Sequence, residues 1–332
     1  MNMLEEGFRF TGPHAELLAQ RIRKTYFKNA KKPNDLGCKL MKSACSEESA
    51  GNLEKAIEHF EKAAANFTKA VSLSPGDPTL HTNRGRAYRS LGKMDEALAD
   101  FNRAIRLDRE FAPAYDGRGR LFFELDEFDE ALADFNQVLK LDPKYSNALY
   151  LHGTTLLHLG KFNKAIADFT RAIKLNPKHQ ESYNNLGYVL GHVGRLEDAL
   201  FPLTKAIDLN PKTSIEYRNL SWVLTSLGKY DKAIKEATTS IELESHPTAY
   251  ANRGHAHRLK GNVESAIEDY KQALSLFEKL PQKNINHYIP AIRVERELVK
   301  LGVIEKGTIE PRALAEGIVT VRLLNKFYKF AK

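Results

Sequence analysis

One glycine recurs along this 332-residue chain at a fixed interval. Gly85, Gly119, Gly153 and Gly187 are each 34 residues apart; Ser221 follows after 34 more and Gly254 after 33. An alanine keeps step with it at Ala97, Ala131, Ala165, Ala199, Ala233 and Ala266. Four residues on stand Phe101, Phe135, Phe169, Leu203, Ala237 and Tyr270, and three further Ala104, Val138, Ala172, Ala206, Ser240 and Ala273. A period in this range excludes an ordinary globular core. Each period is one supersecondary unit that cannot bury its apolar face alone, so the units must stack.

The unit Ser146–Pro177 shows the physical logic. Leu149, Tyr150, Leu156, Leu157 and Leu159 recur at helical spacing in its first half. Gly160 supplies the left-handed residue that ends a helix. Ala165, Ile166, Phe169, Ala172, Ile173 and Leu175 form the stripe of a second helix. Asn176–Pro177 stops it, because proline lacks a donor and disfavours helix in the residue before it. Glycine and alanine in phase predict two helices in close approach, and the large residue in phase fills the gap toward the next unit.

The pattern resembles the tetratricopeptide repeat (TPR), most clearly in "LHGTTLLHLGKFNKAIADFTRAIKLNP" and "YNNLGYVLGHVGRLEDALFPLTKAIDLNP". The resemblance implies an all-α chain: a right-handed α-α superhelix, or TPR solenoid, of about six full repeats with helical caps. The segments expected are an N-terminal helical and linker segment (1–43), a degenerate repeat or long capping helix (44–77), six tandem units (78–278) and C-terminal capping helices (279–332). Within them, 14–32 reads as a separate amphipathic helix and "KKPNDLG" as a linker. Leu53, Ala56, Ile57, Phe60, Ala63, Ala64, Phe67, Ala70 and Val71 read as one helical stripe. "NHYIPAIRVERELVKLG" and "EPRALAEGIVTVRLLNKFYKFAK" each suggest a helix, the latter with Leu314, Ile318, Val321, Leu324 and Phe327 on one face.

Charge separates the ends from the middle. Residues 1–43 carry a net +5 and 279–332 a net +6, while 44–278 carry −3. Basic ends suit acidic partners or a solvated surface. An array of net −3 argues against RNA binding, whose affinity rests on phosphate neutralisation. The opening "MNMLEEGFRF" is not a secretory signal, and no apolar run reaches the ~18 residues of a membrane span. Two cysteines, Cys38 and Cys45, read as unpaired thiols of a reducing compartment. The chain is therefore expected to be cytoplasmic, or nucleocytoplasmic in a eukaryote.

No catalytic constellation is visible. The "LGK" triplets at Gly92, Gly160 and Gly228 lack the earlier glycine and the following Ser/Thr of a phosphate loop. The 11 histidines are dispersed, and the acidic pairs Asp95–Glu96 and Asp129–Glu130 sit where a helix N-terminus favours negative charge. No cofactor, metal or small-molecule substrate is expected, and the chain reads as no enzyme.

The resemblance places ligand contacts on the first helix of each unit, at its fifth, sixth and ninth positions. The sixth positions include Asn83, Asn185, Asn219 and Asn252, a row similar to the asparagine ladder of O-linked N-acetylglucosamine transferases. The fifth include Tyr150, Asn184 and Arg218; the ninth include Arg86, Arg120, Tyr188, Trp222 and His255. Amides can hold an extended peptide backbone, and arginine and aromatics are hot-spot types. Packing between repeats is an equally open use of all of them. The two-carboxylate clamp of chaperone-binding relatives is weakened, since no unit has Lys at the fifth and Asn at the ninth position. The implied function is a non-enzymatic adaptor that docks a partner peptide or helix in the concave groove. The alternative is a regulatory or assembly subunit, of a chaperone, secretion or transferase complex, held through the basic ends.

Overall fold

Each 34-residue period folds as two helices joined by a tight turn. The structure, a computed structural model, describes residues 13–279 and 285–303. Among these residues it contains fifteen helices and no strand. They are α1 (Pro13–Ser49), α2 (Leu53–Leu73), α3 (Pro78–Ser90), α4 (Met94–Leu107), α5 (Ala112–Glu124), α6 (Phe128–Leu141), α7 (Ser146–His158) and α8 (Phe162–Leu175). There follow α9 (Gln180–His192), α10 (Leu196–Leu209), α11 (Ser214–Ser226), α12 (Tyr230–Leu243), α13 (Pro247–Lys260), α14 (Val263–Lys279) and α15 (Ile285–Lys300). The chain divides into two compact units, one through Lys161 with α1–α7 and one from Phe162 with α8–α15.

Within each unit the same packing rule repeats. The first helix of a hairpin lies against its own second helix, and that second helix against the first helix of the next hairpin. The in-phase alanines Ala97, Ala131, Ala199, Ala233 and Ala266 are all completely buried. The in-phase large residue is a wedge. A methyl group on Gly85 would lie 2.9 Å from the Phe101 ring, and one on Gly117, in the following hairpin, 2.4 Å from it. Phe135 fits Gly119 in the same way; in the second unit Leu203 fits Gly187 and Tyr270 fits Gly254. Glycine is needed there because the large side chain, a ring or in one case Leu203, occupies the space of a Cβ. Full burial of such a ring is worth roughly 1.5–3 kcal/mol.

A second element repeats at the seam between paired helices. Arg84 donates to Asp100 through two bonds of 2.7 Å, Arg118 to Asp134 through 2.8 and 2.7 Å, and Arg253 to Asp269 through 2.9 and 2.7 Å. The aspartates are buried. Two parallel charge-assisted bonds satisfy both groups and fix the register of the hairpin. The corresponding pairs are Leu186 with Pro202 in α9/α10, and Leu220 with Glu236 in α11/α12.

The turns follow the sequence with one variation. Gly160 closes α7 at φ +69°, and Gly92 and Gly228 act alike; between α5 and α6 the left-handed position is held by Asp126 at φ +60°. Aspartate tolerates that region better than most residues. Asp95, Glu96, Asp129 and Glu130 occupy first turns of α4 and α6, as their dipole complementarity requires.

The N-terminal segment differs from expectation. The "KKPNDLG" stretch is no linker: it lies inside α1, which runs through Pro33. Proline costs the helix one hydrogen bond. Packing offsets that cost, because Ala30, Pro33, Gly37 and Ala44 are buried along one stripe. A methyl group on Gly37 would meet the Phe67 ring at 2.6 Å, so α2 seats directly on this stripe. The α2 stripe is narrower than its sequence suggests: Leu53 and Ile57 are 62% and 51% exposed. Ala63, Ala64 and Phe67 join Ala87 of α3 and Cys38 and Met41 of α1 in one apolar cluster, while both cysteines remain free. At the other end Val294 and Leu298 of α15 pack with Ala266, Tyr270, Ala273 and Phe277 of α14. The helix expected from Pro311 lies outside the described residues.

Replacing Ala131 with Arg tests the register. It forces a charged side chain into a fully buried contact and is expected to destabilise the chain by at least about 3 kcal/mol. Thermal unfolding followed by circular dichroism checks this; an unshifted melt would contradict the packing.

Candidate functional site

The candidate site is the face of the first helices that carries the fifth, sixth and ninth positions. Each unit presents its own version. In the first unit α3 and α5 contribute a charged cluster. The Arg120 Nε donates to Asp116 Oδ2 at 3.0 Å, and the Arg86 guanidinium lies 3.8 Å from the same carboxylate. Arg86 also reaches the Pro113 carbonyl at 3.5 Å. One turn along α3, Arg89 pairs with Glu124 at 3.2 Å. Burial lowers the Arg89 pKa, with Glu124 opposing and Arg120 and Arg86 reinforcing; arginine remains charged regardless. Three guanidinium groups therefore face two carboxylates, and Asp116 is almost wholly buried between two of them.

Tyr150, on α7 of this unit, is half-buried. Beside this face lies an aromatic group at Phe123, Phe128 and His158, with ring centroids 5.5, 5.3 and 4.7 Å apart. Burial lowers the His158 pKa. In the sequence Arg89 stood out only as a further charge beside Arg86, and Phe123 did not stand out, because each lies one turn beyond the positions the repeat pattern marks.

In the second unit α9 and α11 bring Tyr188, His192 and Trp222 together. The centroid of His192 is 4.4 Å from Tyr188 and 4.8 Å from Trp222, and Tyr188 is 6.1 Å from Trp222. The indole rests on α9 where Gly191 has no side chain; a methyl group there would lie 2.6 Å from it. Burial raises the Tyr188 pKa and lowers that of His192. Arg218 stands one turn before Trp222 on α11 and is half-buried. Burial depresses its pKa, while Glu244, Tyr188 and Glu216 pull the other way. Among the described residues its guanidinium makes no hydrogen bond within 3.5 Å and no ion pair within 4.0 Å.

The asparagines form a chain of helix-to-helix bonds. Asn83 of α3 donates to Asn34 of α1 at 3.0 Å, and its amide is 3.8 Å from the Cys38 sulfur. Asn219 of α11 donates to Asn184 of α9 at 2.9 Å, and Asn252 of α13 donates to the Arg218 carbonyl at 3.1 Å. Asn184 in turn donates to Asn185 at 3.4 Å. At least one donor of Asn83, Asn219 and Asn252 thus ties one first helix to the preceding one. His255, on α13, lies among charges of the covering helix α15. Burial, together with Arg293, Arg258 and Lys300, lowers its pKa to about 4 against the opposing Glu297. Arg258 and Glu297 themselves pair at 3.0 Å across α13 and α15.

Among the described residues no three histidine, cysteine or carboxylate side chains converge as a metal site would require, and no helix is long and apolar enough to cross a membrane.

Family models of the tetratricopeptide repeat match residues 36–110, 112–145, 146–179, 169–201 and 247–280, together more than half of the chain. No curated protein matches the chain significantly. Solved structures do. A tetratricopeptide repeat protein from Parabacteroides merdae shares 22% identity over 81% of this chain and 100% of its own, with a TM-score of 0.52. PilF of Pseudomonas aeruginosa shares 16% identity over 66% of this chain and 97% of its own, with a TM-score of 0.55. YrrB, a TPR protein with an unusual peptide-binding site, shares 25% identity over 55% and 95%, with a TM-score of 0.49. The first two show the fold alone.

The His255 environment sets a pH dependence. Its pKa in the folded chain, about 4, lies below the ordinary value of 6.5. Between those values the unfolded chain binds the proton that the folded chain refuses. Stability is therefore complete above about pH 6.5, falls on acidification through that window and levels off below about pH 4. His255→Gln is expected to flatten part of this slope in thermal melts taken across the window. His158, His192 and His257, whose pKa values burial also lowers, contribute to the remainder, and a slope unchanged in the variant would contradict the assignment.

Proposed function

The chain belongs to the tetratricopeptide repeat family, a scaffold fold for protein–protein interaction, and from that premise we propose that it is a non-enzymatic adaptor. It docks an extended segment of a partner protein against the first-helix face of its second unit. One observation carries this reading: among the described residues the half-buried Arg218 guanidinium has no hydrogen-bond or ion-pair partner, Glu216 and Glu244 standing beyond ion-pair distance, and it lies one helical turn from the Tyr188–His192–Trp222 aromatic group. Leaving a partly desolvated charge unpaired is costly, and a carboxylate arriving with a ligand recovers it through two parallel bonds. The adjoining rings supply apolar area for a neighbouring ligand side chain. The segment this face fits carries an acidic residue beside an apolar or aromatic one.

The asparagines have a supporting part in this reading. Asn184, Asn219 and Asn252 hold the helices that present Arg218 and Trp222. Asn83, Arg86, Arg120 and Tyr150 form a separate face in the first unit, where Asp116 and Glu124 offset most of the positive charge. His255 belongs with the α15 cap rather than with the open face. The central net charge of −3 favours a protein partner over nucleic acid.

Trp222 is the single tryptophan, so its fluorescence reports on the site alone. Affinity capture with wild type, Trp222→Ala and Arg218→Ala identifies the segment; titration of it should then shift the wild-type emission. Each substitution is expected to weaken binding at least about tenfold while far-UV circular dichroism stays unchanged. Undiminished affinity in both variants would remove this face from the function.

A further inference from the structure

Two hairpins of the second unit lack the buried Arg–Asp seam, α9/α10 and α11/α12, and the first of them also exposes a ring. At α9/α10 the buried Arg–Asp seam of α3/α4, α5/α6 and α13/α14 is replaced by Leu186 and Pro202. The residue beside it is Ala99 in α4, Ala133 in α6 and Glu268 in α14, but Phe201 in α10. That ring is 72% exposed, on a helix whose other large apolar side chains turn inward. Next to it lies a cleft of about 420 Å³ floored by Ile166 of α8, Leu186 and Leu190 of α9, and Pro202. Its rim carries Arg195, Glu197 and Asp198. Pro202 has no N–H to give the Asp198 carbonyl, so the rim also offers a backbone acceptor.

We propose that this cleft is a self-association surface, and that its occupant is a second copy of the chain related by a two-fold axis. The exposed Phe201 ring is a knob that forms one wall of a cleft with an apolar floor and a polar edge of Thr170, Arg195, Glu197 and Asp198, a form that a two-fold axis can make self-complementary. A two-fold axis sets each copy's knob at the other's cleft, so both are filled by one contact. The rim is self-complementary in charge. Arg195 and Asp198 pair at 2.7 Å within the chain, yet both are more than half exposed. Such an exposed pair is worth little on its own and can exchange across the axis at small cost. A ligand of one charge sign would meet a like charge on this rim, whereas a second copy presents both signs in reversed order. The exposed parts of the surface, Phe201 and the charged rim, lie on α10 and the turn before it, whereas Arg218 and Trp222 lie on α11.

Sedimentation velocity of the full chain across a concentration series tests the proposal. Wild type should show a concentration-dependent monomer–dimer equilibrium. Phe201→Glu should raise the dissociation constant at least about tenfold with an unchanged thermal melt, because the ring is exposed. Two rim variants test the two-fold relation. Arg195→Glu makes the rim wholly acidic, and Glu197→Lys with Asp198→Lys makes it wholly basic. Each should associate more weakly than wild type, and their mixture should associate better than either alone. The proposal is overturned by a wild-type chain that stays monomeric at high-micromolar concentration, or by a Phe201→Glu variant that dimerises like wild type. A mixture no better than its components overturns the two-fold arrangement.

Discussion

A ring packed where two helices carry no side chain governs this structure. Phe101 sits against Gly85 of its own hairpin and Gly117 of the next. The two first helices can be tied to one second helix because neither places a Cβ in the way. Ala97 and Ala104, both fully buried, keep the same second helix close on either side of the ring. The consequence reaches the candidate site. Residues at the fifth, sixth and ninth positions share a helix with the key glycine, so the wedge that positions the glycine also positions them.

Arginine has two distinct uses on this scaffold. At the seam, Arg84, Arg118 and Arg253 are spent on buried aspartates and serve register. On the first-helix face, Arg86, Arg89 and Arg120 share Asp116 and Glu124 and are largely neutralised within the first unit. Arg218 fits neither use. Among the described residues it makes no hydrogen bond or ion pair, and it stands one turn from the Tyr188–His192–Trp222 group. Arg84, Arg86, Arg89, Arg118, Arg120 and Arg253 each have a carboxylate within 4.0 Å and Arg218 does not, which makes it the most informative charge of the set.

Much of this was legible in the sequence, for a physical reason. Close packing imposes size, so glycine, alanine and the large residue recur in step and mark both helices of every hairpin. Tyr188, Arg218 and Trp222 were legible as well, being conspicuous types at repeated positions. Phe123 was not, since it lies a turn further along; His158 and His192 recur 34 residues apart, but nothing in that spacing shows that each stacks on neighbouring rings. The continuity of α1 was hidden because Pro33 and the following "NDLG" are local helix breakers, and only contact with α2 overrides them. The asparagine row was ambiguous in principle. One amide suits a ligand backbone and a neighbouring helix equally, and only the geometry shows Asn83, Asn219 and Asn252 bonding to the helix before them. The division of the repeats at Lys161 has no counterpart in the periodicity.

The wedge is tested most directly by a double-mutant cycle on Phe101 and Gly117, read as unfolding free energies of the full chain. In the wild-type background Gly117→Ala should destabilise by at least about 1 kcal/mol, because the new methyl group collides with the ring. In a Phe101→Ala background the collision is gone, and the same change should be neutral or stabilising by up to about 1 kcal/mol through helix propensity. The account predicts this reversal, a coupling of the size found between residues in contact. Additive effects of the two substitutions would contradict it.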